Sequence, residues 1–371
     1  YRADENKVLA NLLPIAEISV DAKSRAWDYA RQLVVNIRQD QIGKGGVDAL
    51  LNEFSLSTEE GVVLMCLAEA LLRVPDKATA DSLIRDKLAE GDWSSHIGNS
   101  DSLFVNASSW GLLLTGKLVN YSDQNKKNHF GLLKKTVGRL GEPVIRKAVR
   151  YAMKIMGTQF VMGHTIDGAI ERAIDTEAKG YTYSYDMLGE GARTMKDADR
   201  YFDSYMNAID AIGVAAKNKG PQNSPGISIK LSAIHPRYEF SHRDRVIEEI
   251  IPRLKKLATA AKAYDIGFTV DAEEADRLDL SLDIIEAVFS DKDLNGWNGF
   301  GIAVQAYQKR GLFVIEWVRD LTQKVGRQMM VRLVKGAYWD SEIKESQAEG
   351  FEDFPVSVSY THLTLPTKRI V

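Results

Sequence analysis

Five short apolar stretches lie between Tyr181 and Ala337, separated by four stretches of different periodicity. The apolar stretches are Tyr181–Leu188, Ile227–Ala233, Gly267–Ala272, Gly301–Tyr307 and Met329–Ala337. Between them lie a helix opened by Thr194 and Asp197, then helices over roughly Asp244–Tyr264 (holding Pro252), Ser281–Phe289 and Leu312–Val325. Strands separated by helices return to the same end of a sheet, so they pair in parallel. Two architectures answer to this: a doubly wound sheet and a closed barrel. A nucleotide-binding sheet carries a Gly-rich turn after its first strand. Leu188-Gly189-Glu190-Gly191 lacks that spacing. Polar residues instead recur at the C-terminal ends of the strands: Asp186, Lys230, Asp271, Gln305, Arg332 and Lys335. Barrel enzymes place their chemistry there. The expected fold is α/β, a (β/α)8 TIM-type barrel with about five of eight strands present, preceded by an all-helical region.

That helical region divides into an arm over 1–95 and a linker domain over 96–179, with the partial barrel over 180–356. In the arm, Ser57 and Glu60 form a capping box that opens an apolar helix, Val62–Leu72. Thr165 caps a helix with Ile166, Ala169, Ile170, Ala173 and Ile174 on one face, and Gly180 stops it. The single cysteine, Cys66, excludes an intrachain disulfide and fits a reducing compartment. Net charge is -3, so no global basic field indicates nucleic acid. The six histidines lack metal-ligand spacing, and no metal is expected. Val62–Leu72 holds Glu69 and is too short to span a bilayer, and the polar start YRADENK is no signal peptide. A cytoplasmic protein is expected. The start without Met suggests a fragment.

The densest chemistry lies in Met329–Asp340, MMVRLVKGAYWD. Its strand carries Arg332 and Lys335, breaks at Gly336, and ends on Tyr338 and Trp339. Arg offers a rigid fork of donors, Lys a point charge, and Gly lets a ligand approach the backbone. The same residues would also suit a strand end whose cations meet helix-borne carboxylates. Arg332 and Lys335 differ in parity, so both cannot point inward from a regular strand; Lys335 should lie past it. Lys230 ends an apolar strand and needs an anionic partner there unless it snorkels. Asp271 is fixed by its strand, whereas Glu273, Glu274 and Asp276 read as solvating the next helix start. Gln305 could read a ring edge or be a core amide satisfied by backbone. A strand-end Lys335 also suggests a Schiff-base aldolase, which needs a desolvated, neutral amine.

Several segments carry a family resemblance. SYDMLGE (184–190), GISIKLSAIHPRY (226–238), DAEEADRL (271–278), QAYQKR (305–310) and RLVKGAYWDSEIK (332–344) resemble the barrel of the proline dehydrogenase family, in its proline utilization A branch. EEGVVLMCLAEALLRVPD (59–76) resembles the region before that barrel. The resemblance implies a flavoprotein with noncovalent FAD at the barrel mouth. It implies oxidation of L-proline to 1-pyrroline-5-carboxylate, with electrons passed to membrane quinone. By motif position, Arg332 would stand near the flavin and stabilise its reduced, charged form. Gln305 would hydrogen-bond the ring; Lys335, Gly336 and Ala337 would contact the cofactor; Trp339 would line its site; Ala272 would give a backbone contact. Lys230 would contact substrate, Asp271 would order the polar network beside it, and Tyr338 would pack near the substrate. Peripheral attachment at the inner membrane and a homodimer go with this reading.

After Phe354-Pro355-Val356 the chain departs from the family pattern. Val358–Thr367 matches, in one reading frame, the translation of a sequencing-library adapter, so residues 357–371 read as an artefactual tail without fixed contacts. The arginines that clamp the substrate carboxylate in the family, the aldehyde dehydrogenase half and an N-terminal DNA-binding segment are expected to be absent. A fragment of this kind is expected to be inactive alone, competent at most for association through its helices.

Overall fold

A computed structural model describes residues 1–41, 79, 82–83, 161–187 and 189–358. The chain divides into two compact units, Tyr1–Glu17 with His164–Val371, and Ile18–Gly163. In the second unit helix α2 covers Val20–Gln41. The Ser57–Glu60 capping box, the Val62–Leu72 helix and Cys66 lie outside the described residues. Among the described residues no helix is long and apolar enough to cross a membrane, and no cluster of His, Cys, Asp or Glu could hold a metal ion.

The first unit holds a five-stranded parallel sheet in the order β1-β2-β3-β4-β5. Its strands are β1 (Ser184–Asp186), β2 (Gly226–Ile229), β3 (Phe268–Val270), β4 (Phe300–Gln305) and β5 (Met330–Val334). Helices α3 (Ile166–Glu177) and α4 (Met195–Ala216) flank β1 in sequence. The short α5 (Leu231–Ile234) and long α6 (Arg243–Ala263) follow β2, α7 (Leu278–Phe289) follows β3, α8 (Gly311–Val325) follows β4, and α9 (Trp339–Ala348) follows β5. This is the alternation read from the sequence, with each element placed within a few residues of its expected span. Helix α1 (Glu5–Ala16) and α3 belong to the sheet unit, not to the helical regions in which the sequence reading set them. Among the described residues β1 pairs only with β2 and β5 only with β4, so the sheet is open at both edges.

Side-chain alternation gives the sheet two unlike faces. Ile227, Ile229, Phe268, Val270 and Phe300 are fully buried. Phe300 collects Phe268, Phe289 of α7 and Trp297 around it at centroid distances of 5.8, 5.7 and 6.4 Å. Phe268 and Phe300 sit in register on neighbouring strands, so this aromatic group pins β3, β4 and α7 together. The residues one step along, Ser184, Ser228, Asp271 and Arg332, meet on the other face.

Local chemistry accounts for the helix starts. Thr194 and Asp197 make a reciprocal capping box at α4, and Thr165 caps α3 through the Gly168 N–H. On α3, Ala169 and Ala173 are buried, but Ile174 of the expected apolar face is 57% exposed. The largest departure is at β2. The expected strand Ile227–Ala233 stops at Ile229, and Lys230 becomes the N-cap of α5. The reason is tertiary: Glu273 accepts the Ser232 N–H at 3.0 Å, giving the backbone a partner outside the ladder.

The expectation that nothing from residue 357 onward has fixed contacts fails at its first two positions. Ser357 N–H donates to Tyr307 O at 2.8 Å, and Val358 N–H donates to Glu5 Oε2 at 3.0 Å. Val356 bridges Gln308. Residues 359–371 lie outside the described residues.

Candidate active site

Four residues of the strand-end row, Asp186, Lys230, Asp271 and Arg332, assemble into one ionic network. Lys230 donates to Asp186 Oδ2 at 3.0 Å and to Asp271 Oδ2 at 3.3 Å, with Glu190 Oε2 at 3.9 Å. Asp271 turns its other oxygen to Arg332 Nη2. Arg332 Nη1 donates to Ser228 Oγ at 2.9 Å. The Lys230 and Asp271 side chains are only 16% and 11% exposed, against 42% for Arg332 and 43% for Asp186. Burial alone would lower the Lys230 ammonium, but Asp186 and then Asp271 outweigh it and hold it charged, well above the usual lysine value. Burial pushes the Asp271 carboxyl up, against the pull of the Arg332 and Lys230 cations. The Tyr205 hydroxyl accepts the Lys230 N–H at 3.2 Å and so fixes the backbone that carries the amine.

The loop after β5 is held by a second network. Tyr307 O–H donates to Gln305 Oε1 at 2.8 Å, and the same hydroxyl accepts the Tyr338 N–H at 2.9 Å. Gln305 Oε1 also accepts the Ala337 N–H at 3.3 Å, and Gln305 Nε2 donates to Glu273 O at 2.7 Å. Trp339 Nε1–H donates to Ser357 O at 3.0 Å. Gly336 has φ +126, and a Cβ there would lie 1.5 Å from a Tyr307 ring carbon. Only glycine allows this crossing of loop over ring. Lys335 follows the last residue of β5, as its parity required, and it is exposed. A cavity of about 20 Å³ lies beside Asp271, Ala272 and Gln305. A hollow of about 560 Å³ opens elsewhere, along Asn298, Gly326 and Met330, without any member of the strand-end row.

The pattern of strand-end cations and carboxylates coincides with a family match. Residues 169–363 match the family model described as proline dehydrogenase. The chain belongs to the proline dehydrogenase family. Residues 1–38 match the N-terminal domain of proline utilization A proline dehydrogenase. The chain is 53% identical over 359 residues to the bifunctional protein PutA of Salmonella typhimurium, covering 96% of this chain and 27% of that protein. It is 51% identical over 362 residues to PutA of Rhizobium meliloti, covering 98% of this chain and 29% of the relative. The chain thus spans under a third of the length of these relatives. A crystal structure of a mutant of Bradyrhizobium japonicum proline utilization A superposes with a TM-score of 0.66 at 48% identity, covering 96% of this chain and 35% of that one. That similarity places the open sheet among TIM-type barrels of this proline dehydrogenase family. Residues 46–160 match a model described as the DNA-binding domain of proline dehydrogenase. The expectation that no such segment is present is therefore corrected; the net charge of -3 over the whole chain gives no sign of it.

Within this family frame, Lys230, Asp271 and Arg332 stand in one network, and Gln305, Gly336, Ala337 and Tyr338 in the other. Ala272 lies between them, next to Asp271. Ser184, Ser228, Glu273 and Tyr307 are among the participants not singled out as site residues from the sequence. Ser228 and Ser184 share the inward parity of Lys230 and Asp186, a signal that alternation could have supplied. Glu273 was read as solvating a helix start, yet it is 8% exposed and its carboxylate serves Ser232 and Arg277. Tyr307 gave no signal, because its role depends on Gly336, far along the chain.

Proposed function

We propose that this chain forms part of an FAD-dependent site that oxidises L-proline to 1-pyrroline-5-carboxylate and passes the electrons to membrane quinone. The observation that carries the reading is the row Lys230–Asp271–Arg332, level with the C-terminal ends of β2 and β3, beside a loop opened by Gly336. Its donor set suits a flavin. An isoalloxazine edge presents several acceptors and becomes more negative when reduced, and the row offers a guanidinium while the loop offers an ammonium and an amide. FAD, when bound, supplies the two-electron acceptor that protein side chains lack. Arg332 would face its charged edge, with Lys335, Gly336, Ala337, Trp339 and the Ala272 backbone holding it. Gln305 would exchange its long bond to Ala337 for the ring. Lys230 would release the half-exposed Asp186 and take the proline carboxylate, while Asp271 keeps the ammonium and guanidinium apart and oriented. Tyr338 would close over the substrate. A quinone acceptor implies work at the membrane surface from the cytoplasmic side, and arm helices suit a homodimer.

The exposed position of Lys335 weighs against a Schiff-base aldolase, whose chemistry needs a desolvated amine. The test is FAD titration of the purified chain, followed by visible absorption, for the wild type and Arg332→Met. Saturable binding that Arg332→Met weakens by about ten-fold or more, the scale of one charge-assisted hydrogen bond, supports the site. Equal binding by both refutes the role of Arg332. Trapping of a carbonyl substrate on Lys335 by borohydride would favour the aldolase instead.

A further inference from the structure

Arg332 stands on β5, an edge strand among the described residues, with its side chain 42% exposed. A long cationic side chain in that position is not oriented by packing. Two contacts orient it. Asp271 takes Nη2, and Ser228 Oγ lies 2.9 Å from Nη1. A guanidinium only donates, so the Ser228 oxygen is the acceptor and its own O–H has to donate elsewhere. Ser228 is 1% exposed, and Ser184 Oγ lies 2.9 Å away. The sense of the chain follows: Arg332 donates to Ser228, and Ser228 donates to Ser184. Ser184 is exposed on β1 and can pass its own proton to water. The chain joins β5 to β2 and β1 across the inner face, over two intervening strands. Asp271 alone would hold one terminal nitrogen and let the guanidinium pivot. Ser228 and Asp271 together hold both and fix its plane.

We propose that Ser228 is a positioning residue that, through its hydroxyl relay to Ser184, sets the plane of the Arg332 guanidinium. Its importance for catalysis rests on the reading of Arg332 as the cation that faces the flavin. The anchor itself is testable without cofactor. The chain is treated with phenylglyoxal, which reacts with arginine, and modification at Arg332 and at Arg243 is followed by peptide mass spectrometry. Arg243 is paired with Asp283 and serves as the internal control. Ser228→Ala should speed modification of Arg332 by about five-fold, the factor for one lost hydrogen bond, and leave Arg243 unchanged. Ser228→Thr keeps a hydroxyl and should restore slow modification. Ser184→Ala alters an exposed residue and should speed Arg332 modification by a smaller factor. Where FAD binds, Ser228→Ala should also lower its midpoint potential. An unchanged Arg332 rate in Ser228→Ala overturns the proposal. If Ser228→Ala does not fold, an unchanged rate in Ser184→Ala overturns it and an increased one supports it. A chain that binds no FAD would sink the cofactor reading, while the phenylglyoxal rates would still decide the anchor.

Discussion

Gly336 and Glu342 show how single residues fix local structure. Replacing Gly336 by Ala puts a methyl inside the Tyr307 ring at a φ that side chains rarely adopt. Tyr307 would have to move, and with it the hydrogen bonds to Gln305 and Tyr338. Gly336→Ala should cost about 2–5 kcal/mol, combining backbone strain with overpacking, as read by urea denaturation. A loss below about 0.5 kcal/mol, the level of a surface change, would show that the loop moves freely past the ring. Glu342 is 4% exposed and accepts the Ala275 N–H at 2.6 Å, tying α9 to the loop after β3. Burial pushes its carboxyl up to about 7; the Ala275 bond opposes this, and Asp276 and Glu345 reinforce it. The folded chain therefore keeps a proton that the unfolded chain releases near pH 4.5. Stability from this group is fully present below that value and is lost as pH rises towards about 7. Glu342→Gln keeps an acceptor for Ala275 and cannot ionise. The wild type should lose more stability than Glu342→Gln between about pH 5 and about pH 8, compared by urea midpoints. Parallel pH profiles would remove Glu342 from the linkage.

Elements are joined through few, specific contacts. Helix α1 lies against the sheet unit through Glu5, whose carboxylate takes the Ser357 hydroxyl and the Val358 N–H. Ser357 in turn accepts from Trp339 and donates to Tyr307 O. The first residues of the chain thus reach the α9 start by way of one serine. Arg2 over the Phe351 ring at 3.8 Å and Lys309 Nζ on Ala3 O at 2.6 Å complete the strap. Glu5→Ala should raise the hydrogen-exchange rate of the Val358 amide well above wild type and leave buried β3 amides unchanged. Unchanged protection at Val358 would show that the strap does not depend on Glu5.

Among the described residues the sheet of the first unit is open. A (β/α)8 barrel closes by hydrogen bonds between its first and last strands, and here β1 and β5 each lack a second partner among the described residues. Val331 and Leu333 on β5 are 43% and 65% exposed. Such an edge is a template for association. Arg332 projects from this least supported strand, and catalytic geometry tolerates displacements of only about 0.5 Å. The 371-residue chain alone is therefore expected not to turn over proline at a useful rate. An anaerobic proline titration with excess FAD checks this by flavin bleaching. Rapid stoichiometric bleaching would show that the five strands suffice, or that a second copy closes the edge.

Local pattern determined much of this protein. The period of apolar residues set the order and type of the strands and helices. Capping chemistry set the starts of α3 and α4. Strand parity put Asp186, Lys230, Asp271 and Arg332 on one face of a parallel sheet and moved Lys335 beyond the regular strand. What the chain could not show by itself were bonds between distant elements. Glu273 ended β2 early, Tyr307 claimed the Gln305 oxygen, and Ser228 met Arg332 across two strands. Glu5 and Ser357, 352 positions apart, became neighbours. Periodicity reports which face of an element is apolar, because that depends on residues a few places apart. Which polar groups then lie within 3 Å of one another depends on sheet curvature and loop paths, which only the folded chain decides.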